Sequence, residues 1–309
     1  MLYIPKKTLE DLEFFEVLNQ ISKHAKTLIG NEQCQKIRPL DQNDEELLSS
    51  LSHVSEYRSS FDNENTIPDH FFKDFSKCFR LLEIENSVLS IESFNDISLA
   101  SETVNNLLSF FKKFKTYYPK IFLIGEEIEQ NKGIKKTIYS IIDRFGEIRN
   151  NASEKLKLLR NKIQSIQKEI GQSFEETLKK LNKLGYLDGI RESVIDNKRV
   201  LAVKSMHRKK IKGRIAGSSK TGSIVFIEPE TTLELSNVLQ NLYFEESEEI
   251  RRILMDLTDY LRPKLDLIKS YHFYLIKIDT IYARAKYALE INGILPKISD
   301  KSELNLINA

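Results

Sequence analysis

The chain has 309 residues, of which 40% are hydrophobic and 30% charged, with a net charge of only +2. Few glycines and prolines and no tryptophan favour long uninterrupted elements over a compact α/β enzyme. No apolar run approaches the roughly 18 residues that span a bilayer, and the N-terminus lacks the apolar core of a signal peptide. The two cysteines, Cys34 and Cys78, form neither a disulfide framework nor a metal-site spacing. We therefore expect a cytoplasmic protein with no membrane partner.

Residues 1–150 show the periodicity of a helical core. Apolar residues recur every three or four positions from Leu9 to Leu28, which predicts one helix capped by Thr8 and stopped by Gly30. Proline residues separate the later blocks, as breakers do. Further helical repeats are predicted at 47–61, 71–82, 91–114 and 134–145, with Pro39, Pro68 and Pro119 between them.

Two long amphipathic patterns follow and predict a helical lever. The outgoing helix covers 151–185, with Asn151 and Glu154 as a capping box and Gly185 as the stop. The returning helix covers 235–262 and ends before Pro263. Each has a single apolar stripe, so each needs a partner, and an antiparallel pair satisfies both. A further helical pattern at 263–293 returns to the core, and 294–309 is expected to be a truncated connection to a missing domain.

The segment 186–234 between the two long helices is rich in strand-forming residues. Asp196-Asn197 separates two short β-like runs and predicts a tight hairpin. A second hairpin is predicted around the loop Gly217–Gly222. Two hairpins make a four-stranded sheet, about the minimum for stability on a support. The predicted fold class is therefore mainly α: a multi-helix core with a long antiparallel helical lever that carries a small antiparallel β clamp at its tip. Helix rise predicts 40 to 50 Å between this insert and the N-terminal helices.

Positive charge is concentrated in this insert. Between Arg191 and Lys220 there are ten Lys or Arg residues and two acids, a net charge of +8 against +2 for the whole chain, and from Asn197 to Ile227 there is no acid. Clustered cations attract phosphate whatever the base sequence, although lysine on exposed strands also prevents edge pairing. The candidate nucleic-acid-binding residues are Lys204, Arg208, Lys209, Lys210, Lys212, Arg214, Ser218, Ser219 and Lys220.

Catalytic and cofactor patterns are not found. Gly217-x4-Gly222 matches the start of a phosphate loop, but Ser223-Ile224 stands where Lys and Ser or Thr are required, and a strand pattern follows in place of a helix. The five histidines lack metal-site spacing. The acidic run Glu245–Glu249 is interpreted as a solvated helix face. We therefore expect no catalytic residue, metal or cofactor in this chain, and no ATP binding.

Several blocks resemble a known family. These are Tyr186-Leu187-Asp188, the strand 198–204, the block Phe226-Ile227-Glu228-Pro229, and Asp279 with Ala283-Arg284-Ala285. Together they resemble the MutS family, and most closely its bacterial MutS-two branch. The resemblance follows the chain in order over nearly its whole length.

The resemblance implies a separate role for each part of the chain. In that family the N-terminal helices are the core, the long helices the lever, and the β insert the clamp that closes around DNA. An ATPase domain with ATP, Mg²⁺ and most of the homodimer interface follows, sometimes with a nuclease domain; this chain would stop where that ATPase begins. The implied function is non-catalytic binding of duplex or branched DNA in repair or suppression of recombination. Two alternatives are an arm that engages RNA or the ribosome in ribosome rescue, and a structural coiled-coil module that binds no polyanion.

Overall fold

The structure is a computed structural model that describes residues 4–40 and 45–298. It divides into two compact units, one formed by 1–147 with 254 onward and the other by Ile148–Ile253. The described residues form eleven α-helices and one four-stranded antiparallel sheet. The predicted mainly α fold with a small antiparallel sheet is confirmed.

The first unit is helical. The N-terminal helices are α1 (Lys6–Asp11), α2 (Phe14–Ser22), α3 (Leu28–Gln35), α4 (Glu45–Ser59), α5 (Lys77–Glu83), α6 (Ile91–Lys113), α7 (Pro119–Ile124) and α8 (Lys132–Ile141). After α10 (Glu230–Leu261), a 3-10 turn at Arg262–Lys264 leads into α11 (Leu265–Glu290). The core lies around α6 and α11, where Val104, Leu107, Leu275 and Ile278 are fully buried.

The prediction of one helix from Thr8 to Gly30 is wrong, because this segment forms α1, α2 and the start of α3. Thr27 is the N-cap of α3 and accepts a hydrogen bond from the Gly30 N–H, so Gly30 lies inside a helix. The cause is Asp279 on α11, a fully buried carboxylate that accepts hydrogen bonds from the Lys26 and Thr27 N–H groups and from the Thr27 hydroxyl at 2.6–3.0 Å. A Cβ on Gly30 would lie 2.0 Å from an Asp279 oxygen, so glycine is required there.

Other boundaries in the first unit shift by a few residues. The repeat predicted at 71–82 is helical only from Lys77. Pro119 does not separate elements but is the first residue of α7. Proline loses no helical hydrogen bond at this position. Residues 294–298 form neither helix nor strand. The remainder of the predicted connection, 299–309, lies outside the described residues, as do 1–3 and 41–44.

The second unit contains two antiparallel helical segments. These are α9 (Glu154–Lys183) and the part of α10 (Glu230–Leu261) that precedes residue 254. Leu159 and Ile163 of α9 pack on Leu242 of α10. Polar side chains join the segments at successive levels: Ser153 to Glu249, Arg160 to Glu246, Gln167 to Tyr243 and Thr177 to Thr231.

The ends of α9 test two predictions. The predicted cap Asn151 is wrong: Ser153 is the N-cap, and its hydroxyl accepts the Leu156 N–H at 3.0 Å. The predicted stop at Gly185 is confirmed, because α9 ends at Lys183 and Gly185 has φ +71°, the left-handed conformation in which glycine has no steric penalty.

The sheet connects α9 to α10. Its strands are β1 (Leu187–Ile195), β2 (Lys198–Lys204), β3 (Gly213–Ser218) and β4 (Ile224–Pro229), in the spatial order β1-β2-β4-β3. Asp196 and Asn197 have φ of 50° and 59°, as the predicted two-residue hairpin requires. Because β4 lies between β2 and β3, the β2–β3 connection must cross from one side of β4 to the other. Ser205–Lys210 makes this crossing as a 3-10 turn.

One face of the sheet packs on α9. Phe174 and Leu181 of the helix form a buried cluster with Leu187, Leu201, Val203, Val225 and Ile227 of the strands. Phe174 is only 1% exposed. Alternate strand residues supply this cluster, as expected for a sheet with one face on a support. The position of the basic residues is therefore fixed by an apolar contact with α9.

Candidate nucleic-acid interface

The basic turn Ser205–Lys210 and the β3–β4 loop lie side by side at one end of the sheet. The Ser205 N–H donates to the Ser223 carbonyl at 2.9 Å, and the Ser205 hydroxyl donates to the Gly222 carbonyl. This end of the sheet, comprising Lys204–Lys210 and the loop Ser219–Ser223, is called the basic end. The two segments contain five of the seven predicted cations: Lys204, Arg208, Lys209, Lys210 and Lys220.

Tyr186 fixes the conformation of the basic turn. Its ring lies 4.6 Å from the His207 ring, and the Lys210 ammonium lies 5.0 Å from its centroid. Its carbonyl accepts the Lys204 N–H at 3.1 Å. A cation over a tyrosine face is favourable, so both ends of the turn are tied to the residue that follows α9.

Three cations of the basic end are free to bind a ligand. Arg208, Lys209 and Lys220 are exposed, and none of them has an ion pair or hydrogen bond to another residue through its charged group within 4–40 and 45–298. Lys204 is also exposed and makes only a long contact, 3.4 Å, with the Gly185 carbonyl. Met206 stands among them with 80% of its surface exposed. A polyanion could contact these cations without displacing a carboxylate.

The opposite end of the sheet uses its cations differently. Glu228 on β4 is 2% exposed, and its carboxylate lies 2.7 Å from the Arg214 guanidinium and 3.3 Å from the Lys198 ammonium. Arg199 is held by Glu175 and Glu192, both at 2.6 Å. This is called the paired end, defined by Lys198, Arg199, Arg214 and Glu228. Arg214, predicted as a nucleic-acid contact, is thus placed in an internal ion pair.

The remaining predicted residues divide between the two ends. Lys212 lies beside the start of β3, where its carbonyl accepts the Glu230 N–H, so it is separated from the basic end. The Ser219 hydroxyl accepts the Ile224 N–H at 3.1 Å and its N–H donates to the Ile224 carbonyl at 2.9 Å, so Ser219 closes its own loop. Ser218 is exposed at the end of β3.

The acidic run Glu245–Glu249 is not a wholly solvated face, and that prediction is wrong. Glu249 is 1% exposed and accepts hydrogen bonds from Ser153 and Arg252. The bond from Arg252 is the largest influence that lowers the pKa of Glu249, to about 2, against the opposing effect of burial. Glu246 binds Arg160 at 2.7 Å. These carboxylates hold the helical pair together.

The described residues show no metal cluster, membrane-spanning helix or phosphate loop. They contain no cluster of three or more His, Cys, Asp or Glu side chains suited to a metal ion. None of their helices has the length and apolarity needed to cross a membrane. The loop Gly217–Gly222 leads into strand β4, as predicted, and not into a helix.

Sequence reasoning missed three residues that shape this surface. Tyr186 and His207 had no recognisable signal, because their contact joins the end of α9 to a turn 21 positions later. Glu228 could have been found, since the β3–β4 hairpin register places it directly opposite Arg214, and opposite charges across a strand pair attract.

The fold and the site define a mainly helical protein with a β insert between two long helices, basic at one end. No protein-family model matches the chain. Proteins named endonuclease MutS2 are 29% identical in Carboxydothermus hydrogenoformans, 26% in Alkaliphilus oremlandii and 29% in Lactobacillus helveticus. Each match covers 98% of this chain and 38–39% of the relative, so the chain spans about two fifths of their length. The resemblance to the MutS2 branch of the MutS family is confirmed.

Proposed function

We propose that the basic end of the β insert binds nucleic acid, with DNA as the preferred partner, through backbone phosphates. The observation that carries this proposal is the group Arg208, Lys209 and Lys220: three exposed cations of the basic end, none with an ion pair among the described residues. Surface cations in proteins are commonly interspersed with acids. Here the buried carboxylate of the sheet, Glu228, pairs with Arg214 at the opposite end.

Contact with phosphates, and not with base edges, fits the residue types. Arg and Lys bind phosphate as charge-assisted donors, while the basic end has no exposed array of aromatic rings on which bases could stack. Tyr186 already packs against His207 and Lys210. Binding should therefore be independent of sequence and, for three to five contacts, weak near physiological salt, in the range of about 10⁻⁴ to 10⁻⁶ M.

The similarity to proteins named endonuclease MutS2 supports a nucleic-acid partner, since the name describes enzymes that cleave nucleic acid. We further propose that the chain serves a protein of this type, in DNA repair or in suppression of recombination, by holding duplex or branched DNA. In this role the chain itself binds the DNA. The contact of the sheet with α9 through Phe174 couples DNA binding to the helices.

The test compares two charge-matched variants of the whole chain. One is Arg208→Gln with Lys209→Gln and Lys220→Gln at the basic end. The control is Lys162→Gln with Lys168→Gln and Lys179→Gln, three exposed lysines of α9. Fluorescence anisotropy with a labelled 25-base-pair duplex, a four-way junction and an RNA hairpin gives the dissociation constants at low salt. We expect the first variant to bind DNA at least tenfold more weakly than the parent and the control to change by less than threefold.

Equal weakening by the two variants would show that only net charge matters and would overturn the assignment to the basic end. Parent-like DNA binding by the first variant would do the same. An RNA hairpin bound more than tenfold tighter than either DNA, with the same loss in the first variant, would overturn DNA as the preferred partner.

A further inference from the structure

A second basic surface lies in the first unit, apart from the β insert. It is a groove of about 900 Å³ bordered by α3 and its following residues, α4, and one face of α11. Its cations are Lys36, Arg38, Lys277 and Arg284, against two carboxylates, Glu32 and Glu46. Lys277, Thr280 and Arg284 are spaced three and four residues apart on α11, so they share one helix face.

Arg284 is a partly buried cation of this groove. Its guanidinium has five N–H donors, and within the described residues its one hydrogen bond is from Nη1 to the Ser50 hydroxyl at 2.5 Å. No described carboxylate forms an ion pair with it. Burial lowers the pKa of Arg284. A largely buried cation without an anion is unfavourable, so the side chain has unused capacity for an anionic partner.

Two buried histidines, His53 and His272, lie near Lys277 and Arg284. Burial, followed by the charge of Lys277, lowers the pKa of His53, and Arg284 acts in the same direction. His53 is 8% exposed and its Nδ1 has no hydrogen-bond partner. His272, which lines the groove, is 2% exposed; its Nε2 contacts Asp74 at 2.8 Å and its Nδ1 has no partner. Buried polar atoms without partners are rare in folded proteins.

The groove also has an apolar wall. Phe79 and Phe273 line it together with aliphatic side chains, and Phe273 keeps 62% of its surface exposed. Grooves of roughly 300–1,000 Å³ with apolar walls and a few convergent polar groups are typical small-molecule sites. Arg binds phosphate through two parallel hydrogen bonds, and an aromatic wall suits a flat ring.

We propose that this groove binds a small organic phosphate of the nucleotide class, with the phosphate on Arg284 and Lys277 and the ring against Phe273. This site is independent of the proposed role of the β insert. An aromatic wall beside a guanidinium that has no ion pair with a described carboxylate favours a ligand that carries both a planar ring and a phosphate over a purely ionic partner.

The test is isothermal titration calorimetry of the whole chain with adenosine monophosphate, ribose 5-phosphate, inorganic phosphate and adenosine. We expect saturable binding of adenosine monophosphate, weaker binding of ribose 5-phosphate and phosphate, and none of adenosine. Arg284→Gln should weaken adenosine monophosphate at least tenfold. Lys277→Gln changes an exposed residue, leaves the core intact, and should weaken it severalfold. Phe273→Ser should weaken adenosine monophosphate but not ribose 5-phosphate.

Two control variants distinguish binding in this groove from nonspecific electrostatic attraction of the phosphate to the protein. Arg144→Gln removes an exposed arginine of the same unit and should have no effect. The variant with Arg208, Lys209 and Lys220 changed to Gln should retain full adenosine monophosphate binding, so failure of the nucleic-acid proposal and failure of this one are distinguishable. The proposal is overturned by the absence of saturable binding up to about 10 mM, by parent-like binding in both the Arg284 and Lys277 variants, or by equal affinity for all three phosphates.

Discussion

The two ends of the β insert contain the same kinds of cation and use them in opposite ways. At the paired end, Arg214 and Lys198 meet the buried carboxylate of Glu228. At the basic end, Arg208, Lys209 and Lys220 are exposed and form no ion pair within the described residues. The difference shows that a count of charges along the sequence does not identify a binding surface. What distinguishes the two ends is whether the fold supplies a carboxylate.

The largest expected loss of stability comes from truncating Phe174, the α9 side chain on which the sheet packs. Phe174 is 1% exposed, packs against the sheet, and lies under the Arg199 guanidinium at 4.3 Å. Phe174→Ala should lower the stability of the second unit by about 3–5 kcal/mol, as for other buried aromatic truncations. Hydrogen exchange of the β2 and β4 amides measures this loss. Unchanged exchange would mean that the sheet does not depend on α9.

A loss of stability of intermediate size should distinguish the paired end from the basic end of the sheet. Arg214→Gln leaves Glu228 buried with Lys198 alone, and we expect a loss of about 1–3 kcal/mol, because a buried acceptor loses a charged partner. Arg208→Gln should change stability by less than about 0.5 kcal/mol, as expected at an exposed site without partners. Urea denaturation of both variants makes the comparison. Equal stability losses would contradict the distinction between paired and free cations.

A smaller change is expected in the stability of the paired helical segments of α9 and α10 as the pH falls. The pKa of Glu249 is lowered to about 2 from an ordinary value of 4.5, so its contribution to stability is fully present above pH 4.5 and is lost as the pH falls towards 2. The effect is moderated because its partners Lys155 and Arg252 are 63% and 51% exposed.

Circular dichroism during urea denaturation at pH 5 and pH 3 measures this change. Glu249→Gln should be less stable than the parent at pH 5 and should lose less stability between the two values. A variant that loses as much stability as the parent on acidification would place the titrating group elsewhere.

The smallest effect should arise at Gly171, in the interior of α9. A Cβ added there would meet no atom within 4 Å, so Gly171→Ala removes the entropic cost of a helical glycine without a clash. Stability should rise by about 0.5–1 kcal/mol, with no change in nucleic-acid affinity. Thermal unfolding checks the first expectation. A loss of stability would show that α9 needs glycine at this position.

Local signals predicted much of the second unit. The 3-4 periodicity predicted the two long helices, and Asp196-Asn197 predicted the hairpin because its turn type is encoded by two adjacent residues. The break between α2 and α3 was missed because it depends on Asp279, about 250 positions away. Arg214 was not separated from Arg208, although the β3–β4 hairpin register that pairs Arg214 with Glu228 is a local feature. The 3-10 turn at Ser205–Lys210 was not predicted, because it depends on β3 lying beyond β4 in the sheet.

The most direct test of the comparison is the salt dependence of duplex DNA binding. The logarithm of the association constant falls with the logarithm of salt concentration by about 0.9 per phosphate contact. Changing Arg208, Lys209 and Lys220 to Gln should reduce this slope by up to roughly 2.7, whereas Arg214→Gln should leave it within error of the parent. A slope that is unchanged in the triple variant, or one that Arg214→Gln reduces by a full contact, would contradict the assignment of binding to the basic end.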